Sequence, residues 1–242
     1  MDFILDTHCH TIASGHAYST IAENAAAAAA KGLRLIAITD HAPEIPGSFG
    51  ALHFTNLRCL PPKMYGVEIL SGVELNILDF EGKVDLPQDL LRKLKVVIAS
   101  LHLTCIQPGS VEENTRAILS AMQNECIKII GHPGDPRFPI DIEKIVSAAQ
   151  ATGTVLEIND ESLNPEGFRA GGDETILRML KLCAQKKAYV VAASDAHISL
   201  RLGELERAKK LILASGIPEE LVLNTNVKRF KEKLGLGETA DD

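Results

Sequence analysis

At 242 residues the chain has the length of one domain, or at most two. Its formal charge of -7 argues against a general nucleic-acid-binding surface, which needs a basic stripe to displace counterions. Hydrophobic residues make up 45% of it, aromatics only 4% and tryptophan none, so a substantial core must be mostly aliphatic.

The five cysteines, Cys9, Cys59, Cys105, Cys126 and Cys183, are scattered and odd in number, with no Cys-x-x-Cys pair. That usage suggests free thiols in a reducing compartment, with small buried hydrophobes the plainest role for all five. The start, with Asp2 and Asp6 in a strand-like run, is unlike a signal peptide, and the alanine run 25–30 is too short to span a bilayer. A cytoplasmic protein with no membrane partner is expected.

Residues 4–7 read as an apolar first strand leading into His8-Cys9-His10. Side chains alternate faces along a strand, so His8 and His10 point the same way and can share one metal ion. Alone the pair is a weak sign, since many His-x-His pairs are surface histidines. Residues 11–18 are a Gly/Ser-containing loop with His16. Thr20 and Glu23 have capping-box spacing and open a helix to about Lys31, which Gly32 stops. A second buried strand over 34–39 ends in Asp40-His41. The stretch 42–66 holds Pro43, Pro46, Gly47, Gly50, Pro61 and Pro62 and reads as a long functional or mobile loop. It carries His53, and its Phe49, Leu52 and Phe54 read as exposed residues of a lid or of a contact between copies of the chain in a homo-oligomer.

A third strand, 68–74, ends in Glu74. After a turn and a short helix over 87–94, a fourth strand, 96–101, ends in His102. Ser110 and Glu113 repeat the capping-box pattern and open a helix to about Gln123. A fifth strand, 127–130, ends in Gly131-His132-Pro133-Gly134-Asp135. A helix near 141–151 leads to a strand over 154–158 that ends in Asn159. A helix near 173–186 leads to a strand over 189–194 that ends in Asp195-Ala196-His197. Helices near 203–215 and 226–234 close the fold, and 236–242 reads as a disordered tail.

Continuous Val/Ile/Ala runs alternating with amphipathic helices indicate a parallel sheet buried on both faces. Seven strands are expected, each with a polar, potentially ligating residue at its carboxyl end. An open doubly wound sheet places its site beside only a couple of strands, whereas a barrel gathers the carboxyl ends of all of them. The pattern therefore predicts one α/β domain over 1–242, a seven-stranded TIM-like barrel. Neither standard Gly-rich phosphate loop is present, which disfavours a dinucleotide or P-loop site.

The candidate metal ligands are His8, His10, His16, His41, Glu74, His102, His132, Asp195 and His197. Any one histidine is more simply a hydrogen-bonded core or rim residue. As a set they are not: seven of the eight histidines fall at or just after expected strand ends, and none falls in an expected helix. Imidazole and carboxylate suit zinc, manganese and iron alike. One catalytic zinc takes about three protein ligands, so this set suits three ions if a carboxylate bridges. Glu74, long and at a central strand end, is the better bridge. Two ions, with some histidines supporting from outside, is the alternative.

The motif set His8-x-His10, His16, Asp40-His41, Glu74, His102, Gly131-His132-Pro133 and Asp195-x-His197 resembles the polymerase-and-histidinol-phosphatase (PHP) superfamily. Within it, the chain looks like the stand-alone trinuclear-metal phosphatases. The resemblance spans nearly the whole chain, and no ligand position is missing. It implies a distorted (β/α)7 barrel, phosphoester hydrolysis, and three divalent ions, zinc first among zinc, manganese and iron. By matching motif, His8 and His10 would hold the first ion with Glu74 and Asp195. Glu74 would join His102 and His132 on the second, and His16, His41 and His197 would hold the third.

Three divalent ions against Glu74 and Asp195 leave about +4 in the pocket of an acidic chain. Such a field draws in a small phosphorylated anion while the outer surface repels polyanions. The expected reaction is hydrolysis of small phosphate monoesters at the C-terminal mouth of the barrel. A metal-activated hydroxide would attack phosphorus, with Asp195, Glu74 and His197 at the reacting centre. Ligand histidines must be neutral, so activity is expected to rise from mildly acidic toward alkaline pH. A water or Asp195 could protonate the leaving group. Asp40, Asp135 and Asn159 are candidates to support ligands, and each equally suits a turn or cap. Arg169, in the Gly-rich loop 164–172, and Arg201 could fork onto the substrate phosphate, against the plainer role of solvated surface arginines.

Three rivals share parts of this pattern. An amidohydrolase-type barrel also begins with His-x-His but commonly uses a bridging lysine; here the fourth strand ends in His102, and His16 and His41 would be surplus. A phosphodiesterase or nuclease acting on a nucleic-acid end sits poorly with the acidic chain. A non-enzymatic metal-binding protein would need coordinatively closed sites.

Overall fold

The computed structural model describes residues 1–237, so most of the tail expected at 236–242 lies outside the described residues. Eight strands form one sheet: β1 (Leu5–Cys9), β2 (Leu35–Ile38), β3 (Lys63–Met64), β4 (Val67–Asn76), β5 (Val96–Ser100), β6 (Ile129–Ile130), β7 (Val155–Asn159) and β8 (Val190–Ala193). Seven run parallel in the order β1-β2-β4-β5-β6-β7-β8, while β3 pairs antiparallel with β4. Around them pack α1 (Ile21–Ala30), α2 (Ala51–Asn56), α3 (Gln88–Leu91), α4 (Val111–Ala121), α5 (Ile142–Thr152), α6 (Asp173–Lys186), α7 (Glu206–Ser215) and α8 (Val227–Leu234). Every residue of β1, β2, β5, β7 and β8 is buried, the reason these strands read as unbroken apolar runs rather than alternating ones. Both capping boxes form, Thr20 with Glu23 on α1 and Ser110 with Glu113 on α4.

The sheet curls into a nearly closed seven-stranded barrel, as expected. Its seam, between β8 and β1, is not a regular ladder. At the carboxyl end the Asp195 N–H donates to the His8 carbonyl and the His10 N–H to the Ala196 carbonyl, both at 2.9 Å. At the amino end a side chain does the work. The Asn224 amide donates to the Leu5 carbonyl at 3.1 Å and the Ala192 carbonyl at 2.8 Å, and accepts the Ala192 N–H at 2.7 Å. Asp6 adds a third stitch by accepting the Ser194 N–H at 3.1 Å. Below, Leu5, Leu35, Leu70, Val96, Ile129 and Phe230 close an apolar layer, against which Leu236 packs.

The stretch 42–66 departs from the expectation of a plain loop. It contains α2, a 3-10 turn at Leu57–Cys59, and β3, whose hairpin turn Tyr65-Gly66 has φ of 52° and 83° as a type I′ turn requires. His53 lies in α2, so one histidine is helical after all. Phe54 is buried rather than exposed, while Phe49 and Leu52 are exposed. The five cysteines are unpaired, yet Cys59 is exposed rather than a buried hydrophobe. Among the described residues, no helix is long and apolar enough to cross a membrane.

Candidate metal centre

Each side chain of the centre sits at or just past the carboxyl end of a strand: His8 and His10 on β1, His41 after β2, Glu74 on β4, His102 after β5, His132 after β6, and Asp195 and His197 after β8. His16 comes from the loop between β1 and α1. Parallel strands in register bring these ends to one level: His41 bridges to Glu74 beside the ladder, and Cys9 to Ala196. His132 and Asp195 hold left-handed backbone, with φ of 30° and 54°, a conformation that non-glycine residues keep only where surroundings impose it.

Glu74 is the hub. Its Oε2 lies 2.7 Å from His41 Nδ1, 3.3 Å from His8 Nε2 and 3.7 Å from His10 Nε2. Its Oε1 lies 3.1 Å from His102 Nε2 and 3.0 Å from His132 Nε2. Asp195 Oδ1 lies 3.0 Å from His10 Nε2 and 3.6 Å from His8 Nε2. His16 and His197 face each other, Nε2 to Nε2, at 3.1 Å.

Hydrogen bonds on the far side of the rings fix which nitrogen faces inward. Glu157, a carboxylate acceptor, takes the His8 Nδ1 proton at 2.7 Å. The Asn76 amide donates to the Ala42 carbonyl and to Asp85, so its oxygen must accept from His102 Nδ1, at 2.6 Å. The Asp195 carbonyl takes the His197 Nδ1 proton at 2.9 Å. Ser14 Oγ gives its one proton to Asp40, so it accepts from His10 Nδ1, at 3.0 Å. Four imidazoles therefore turn Nε2, not Nδ1, inward. At His10 and His102 that nitrogen meets a carboxylate oxygen with no hydrogen between them, whereas at His8 the surrounding carboxylates favour the charged form, in which a proton takes that place.

That arrangement fits cations. Buried yet without a hydrogen-bond partner are His8 Nε2, His41 Nδ1 and Glu74 Oε2. Ligand atoms about 2.1 Å from one tetrahedral ion lie about 3.4 Å apart, inside the span measured around His8, His10, Glu74 and Asp195. Three groups converge within 4.8 Å: His10, His41 and His197; His8, His10 and Glu74; and His41, Glu74 and His102. This grouping cuts across the partition the sequence resemblance implies, because His41 leans on Glu74 and His10 reaches toward His41 and His197.

The electrostatics agree. Burial raises the Glu74 carboxyl, but His8, His102 and His41 outweigh it and hold it well below the usual carboxylate range. Asp195 is likewise held well below, burial being overcome by His8 and Arg169. Burial lowers His8, yet Glu157, Glu74 and Asp195 together push it well above the ordinary imidazole value. His10 goes the other way, held well below by burial and then by His197 and His41.

The supporting residues sort differently from expectation. Asp40 is fully buried and accepts from Ser14 and from the Thr11 N–H. Asn159 donates to Glu157 at 3.0 Å and to Asp195 at 3.3 Å. Asp135 touches no ligand ring; it forks onto Arg137 instead. Arg169 is no surface arginine: it is 6% exposed, pairs with Asp195, and leaves its Nε without a partner. Arg201 is half-exposed and occupied by Glu161 and Glu204.

Glu157 is the residue that sequence reading passed over. Besides holding His8, it accepts the His132 N–H at 2.7 Å, which pins that strained backbone. Its signal was an acid in the middle of an apolar strand, on the same face as Asn159 two residues on.

Two cavities open onto the centre and share His16, Phe168, Arg169, Asp195 and His197. One, of about 330 Å³, adds Tyr18, Ile198 and Arg201. The other, of about 370 Å³, adds His41, His102 and Arg137. The guanidinium groups of Arg137 and Arg169 both lie over the exposed Phe168 ring, each 5.2 Å from its centroid.

A barrel of parallel strands with an imidazole–carboxylate cluster at the strand ends defines a class of metal-binding α/β barrels. Residues 6–190 match the PHP domain, and the chain belongs to that family. It is 50% identical over 97% of its length to a probable phosphatase of Thermoanaerobacter sp., covering 95% of that protein. It is 45% identical to a probable phosphatase of Acetivibrio thermocellus, covering 96% of this chain and 95% of that one. Its fold is similar to that of histidinol phosphate phosphatase from Lactococcus lactis subsp. lactis, solved with zinc, L-histidinol and phosphate. The TM-score is 0.63 at 19% identity, over 88% of this chain and 94% of that one.

Proposed function

We propose that the chain is a metal-dependent phosphatase that hydrolyses small phosphate monoesters at the mouth of the barrel, with three divalent ions held by the nine named side chains. One observation carries the reading: Nε2 of His8, His10 and His102 all face the carboxylates of Glu74 and Asp195, an arrangement that only positive charge between them relieves. The relatives named above add that probable phosphatases share this chain almost end to end, and the zinc-loaded neighbour adds zinc as the first ion to try. Five unpaired cysteines fit a cytoplasmic setting.

Divalent ions held there supply Lewis acidity toward a phosphoryl group and a nucleophile at neutral pH. The chain's own residues do the rest. Glu74, with its two oxygens divided between two sets of imidazoles, would hold ions on both sides. Asp195 would hold an ion with His8 and His10, and it keeps Arg169 in place. A carboxyl held as low as that of Asp195 has no proton to give near neutral pH, so leaving-group protonation falls to water. The unpartnered Arg169 Nε offers a phosphate oxygen a charge-assisted bond. Arg137, held by Asp135, lines the larger cavity together with Arg169. His197 lines both cavities and borders the reacting centre from the rim. Arg201 lines only the smaller cavity, where Glu161 and Glu204 hold its guanidinium. Each cavity has the size of a small-ligand pocket rather than a nucleic-acid groove.

The test is turnover of a chromogenic phosphomonoester, a phosphodiester and an amide by zinc-, manganese- or iron-loaded protein, with and without chelator. Monoester hydrolysis that chelation abolishes and metal restores is expected. Preference for the diester or amide, or activity that survives metal removal, overturns the reading.

A further inference from the structure

His53 is the one histidine outside the ligand set, and it lies on α2, outside the strands that build the centre. Its ring is held edge-on between Phe49 and Phe54, with centroids at 5.8 Å and 5.0 Å. Its Nε2 lies 3.1 Å from Asp40 Oδ2. Asp40 is a carboxylate and only accepts, so His53 Nε2 carries the proton. The other Asp40 oxygen accepts the Ser14 hydroxyl at 2.7 Å and the Thr11 N–H at 2.6 Å. Ser14 Oγ has then spent its proton, and it accepts both the His41 N–H and His10 Nδ1–H, each at 3.0 Å. One unbroken chain of hydrogen bonds thus runs from His53 through Asp40 and Ser14 to His10, and its direction is fixed at every link.

The direction matters because Ser14 can turn. Were Asp40 to lose its hold on the hydroxyl, the Ser14 proton could swing to His10 Nδ1. The His10 proton would then sit on Nε2, pointing at Asp195 and Glu74, where it would block a cation. Asp40 is buried, and His53 is the side chain that offers it an N–H from outside the β1–α1 loop. Losing that donor leaves Asp40 Oδ2 with only the Thr11 hydroxyl, whose one proton Oδ1 shares, and so loosens the carboxylate that holds Ser14.

We propose that His53 is a positioning residue for the metal centre: by anchoring Asp40 it makes Ser14 an acceptor and so sets the tautomer in which His10 can ligate. The inference rests on His10 being a cation ligand, and it is tested by cation uptake rather than by turnover.

Zinc affinity is measured by competition with a chromogenic chelator, and the proton position on His10 by nitrogen-15 correlation spectra of zinc-free protein. His53→Ala is expected to bind zinc roughly 10–100-fold more weakly, the usual cost of losing such support, and to lose the Nδ1-bound proton on His10. His53→Gln places an N–H where Nε2 was, and is expected to keep both within a few-fold of the parent. Ser14→Ala should be as weak as His53→Ala, and the double variant no weaker than the weaker single, because both cut one chain. Wild-type zinc affinity in His53→Ala with the His10 proton unmoved overturns the proposal, as do additive losses in the double variant. A merely structural role is recognised by a lower melting temperature with the proton still on Nδ1, and it too overturns the proposal. Should His53→Ala fail to fold, the Ser14→Ala and His53→Gln arms still decide. A parent protein that takes up no zinc overturns the ligand reading itself, an outcome distinct from the others.

Discussion

The two ends of the barrel treat buried polar atoms in opposite ways. At the amino end the Asn224 amide spends both its oxygen and its nitrogen on backbone groups of β1 and β8, and the buried Glu68 carboxylate meets the Lys231 ammonium at 3.1 Å. At the carboxyl end the same kind of buried space holds His8 Nε2, His41 Nδ1, Glu74 Oε2 and Arg169 Nε, four of the seven buried side-chain atoms without a partner among the described residues. Each such atom costs about 1–3 kcal/mol, and scattered packing errors would not gather them in one place. The amino end is completed by folding; the carboxyl end is left open for what it binds, the division of labour known for barrels of parallel strands.

The largest effect expected from breaking this contrast is at Glu74. Glu74→Gln leaves five imidazoles without their common carboxylate, and kcat/KM for a phosphomonoester should fall by roughly 10³-fold or more. Metal content should fall with it, and the cation-free protein should also lose the stability that the Glu74 carboxylate supplies near neutral pH. Activity within tenfold of the parent would erase the distinction between the ends. Asn224→Ala is the mirror experiment. It strips partners from three backbone groups at the seam, for about 3 kcal/mol of stability. Zinc affinity of the folded protein should stay unchanged; a parallel loss would mean the two ends are coupled.

Why one end was easier to read than the other follows from the same contrast. His8, His10, His41, His102, His132 and Asp195 stand where apolar runs stop, so strand ends and candidate ligands announce each other. Asn224 and Asp6 close the seam from positions with no motif: one lies in a 3-10 turn far along the chain, the other inside an apolar strand. Helix α2 is six residues long, too short for a helical period to emerge among prolines and glycines. The turn Tyr65-Gly66 lacks the Asn-Gly or Asp-Gly signature of its type. Glu157 and His53 act through partners remote in sequence, His8 at a separation of 149 and Asp40 at 13, and no local pattern encodes such pairings.

Glu157 sharpens the contrast, because it belongs to the open end but is itself fully satisfied. Glu157→Gln keeps the volume yet can turn an N–H toward His8 Nδ1, favouring the tautomer that points a proton at Glu74. Zinc affinity should drop roughly 10–100-fold, with a smaller change in stability. An unchanged affinity would make Glu157 a prop for the His132 backbone alone.

The smallest effect expected is one of pH, and its sign separates a proton from a cation at the same place. Without cations, the Glu74 and Asp195 carboxyls lie well below their ordinary 4.5 and 3.8. They stabilise the fold above those values and lose that contribution as pH falls through their depressed ones. His8 lies well above its ordinary 6.5. Its contribution is complete below 6.5 and is lost as pH rises through the raised value. Those three groups together are therefore worth most between about pH 4.5 and about pH 6.5, while His10, held well below its ordinary value, subtracts from that as pH falls below about 6.5. A zinc ion held by His8 would have to displace its proton, so its stabilisation should grow as pH rises, by up to about 1.4 kcal/mol per pH unit for one proton released. Thermal shifts with and without zinc, taken from about pH 6 to about pH 8, should diverge steadily. A zinc-induced shift that stays flat across that window would show that His8 keeps its proton and that the lone-pair geometry at the open end has some other purpose.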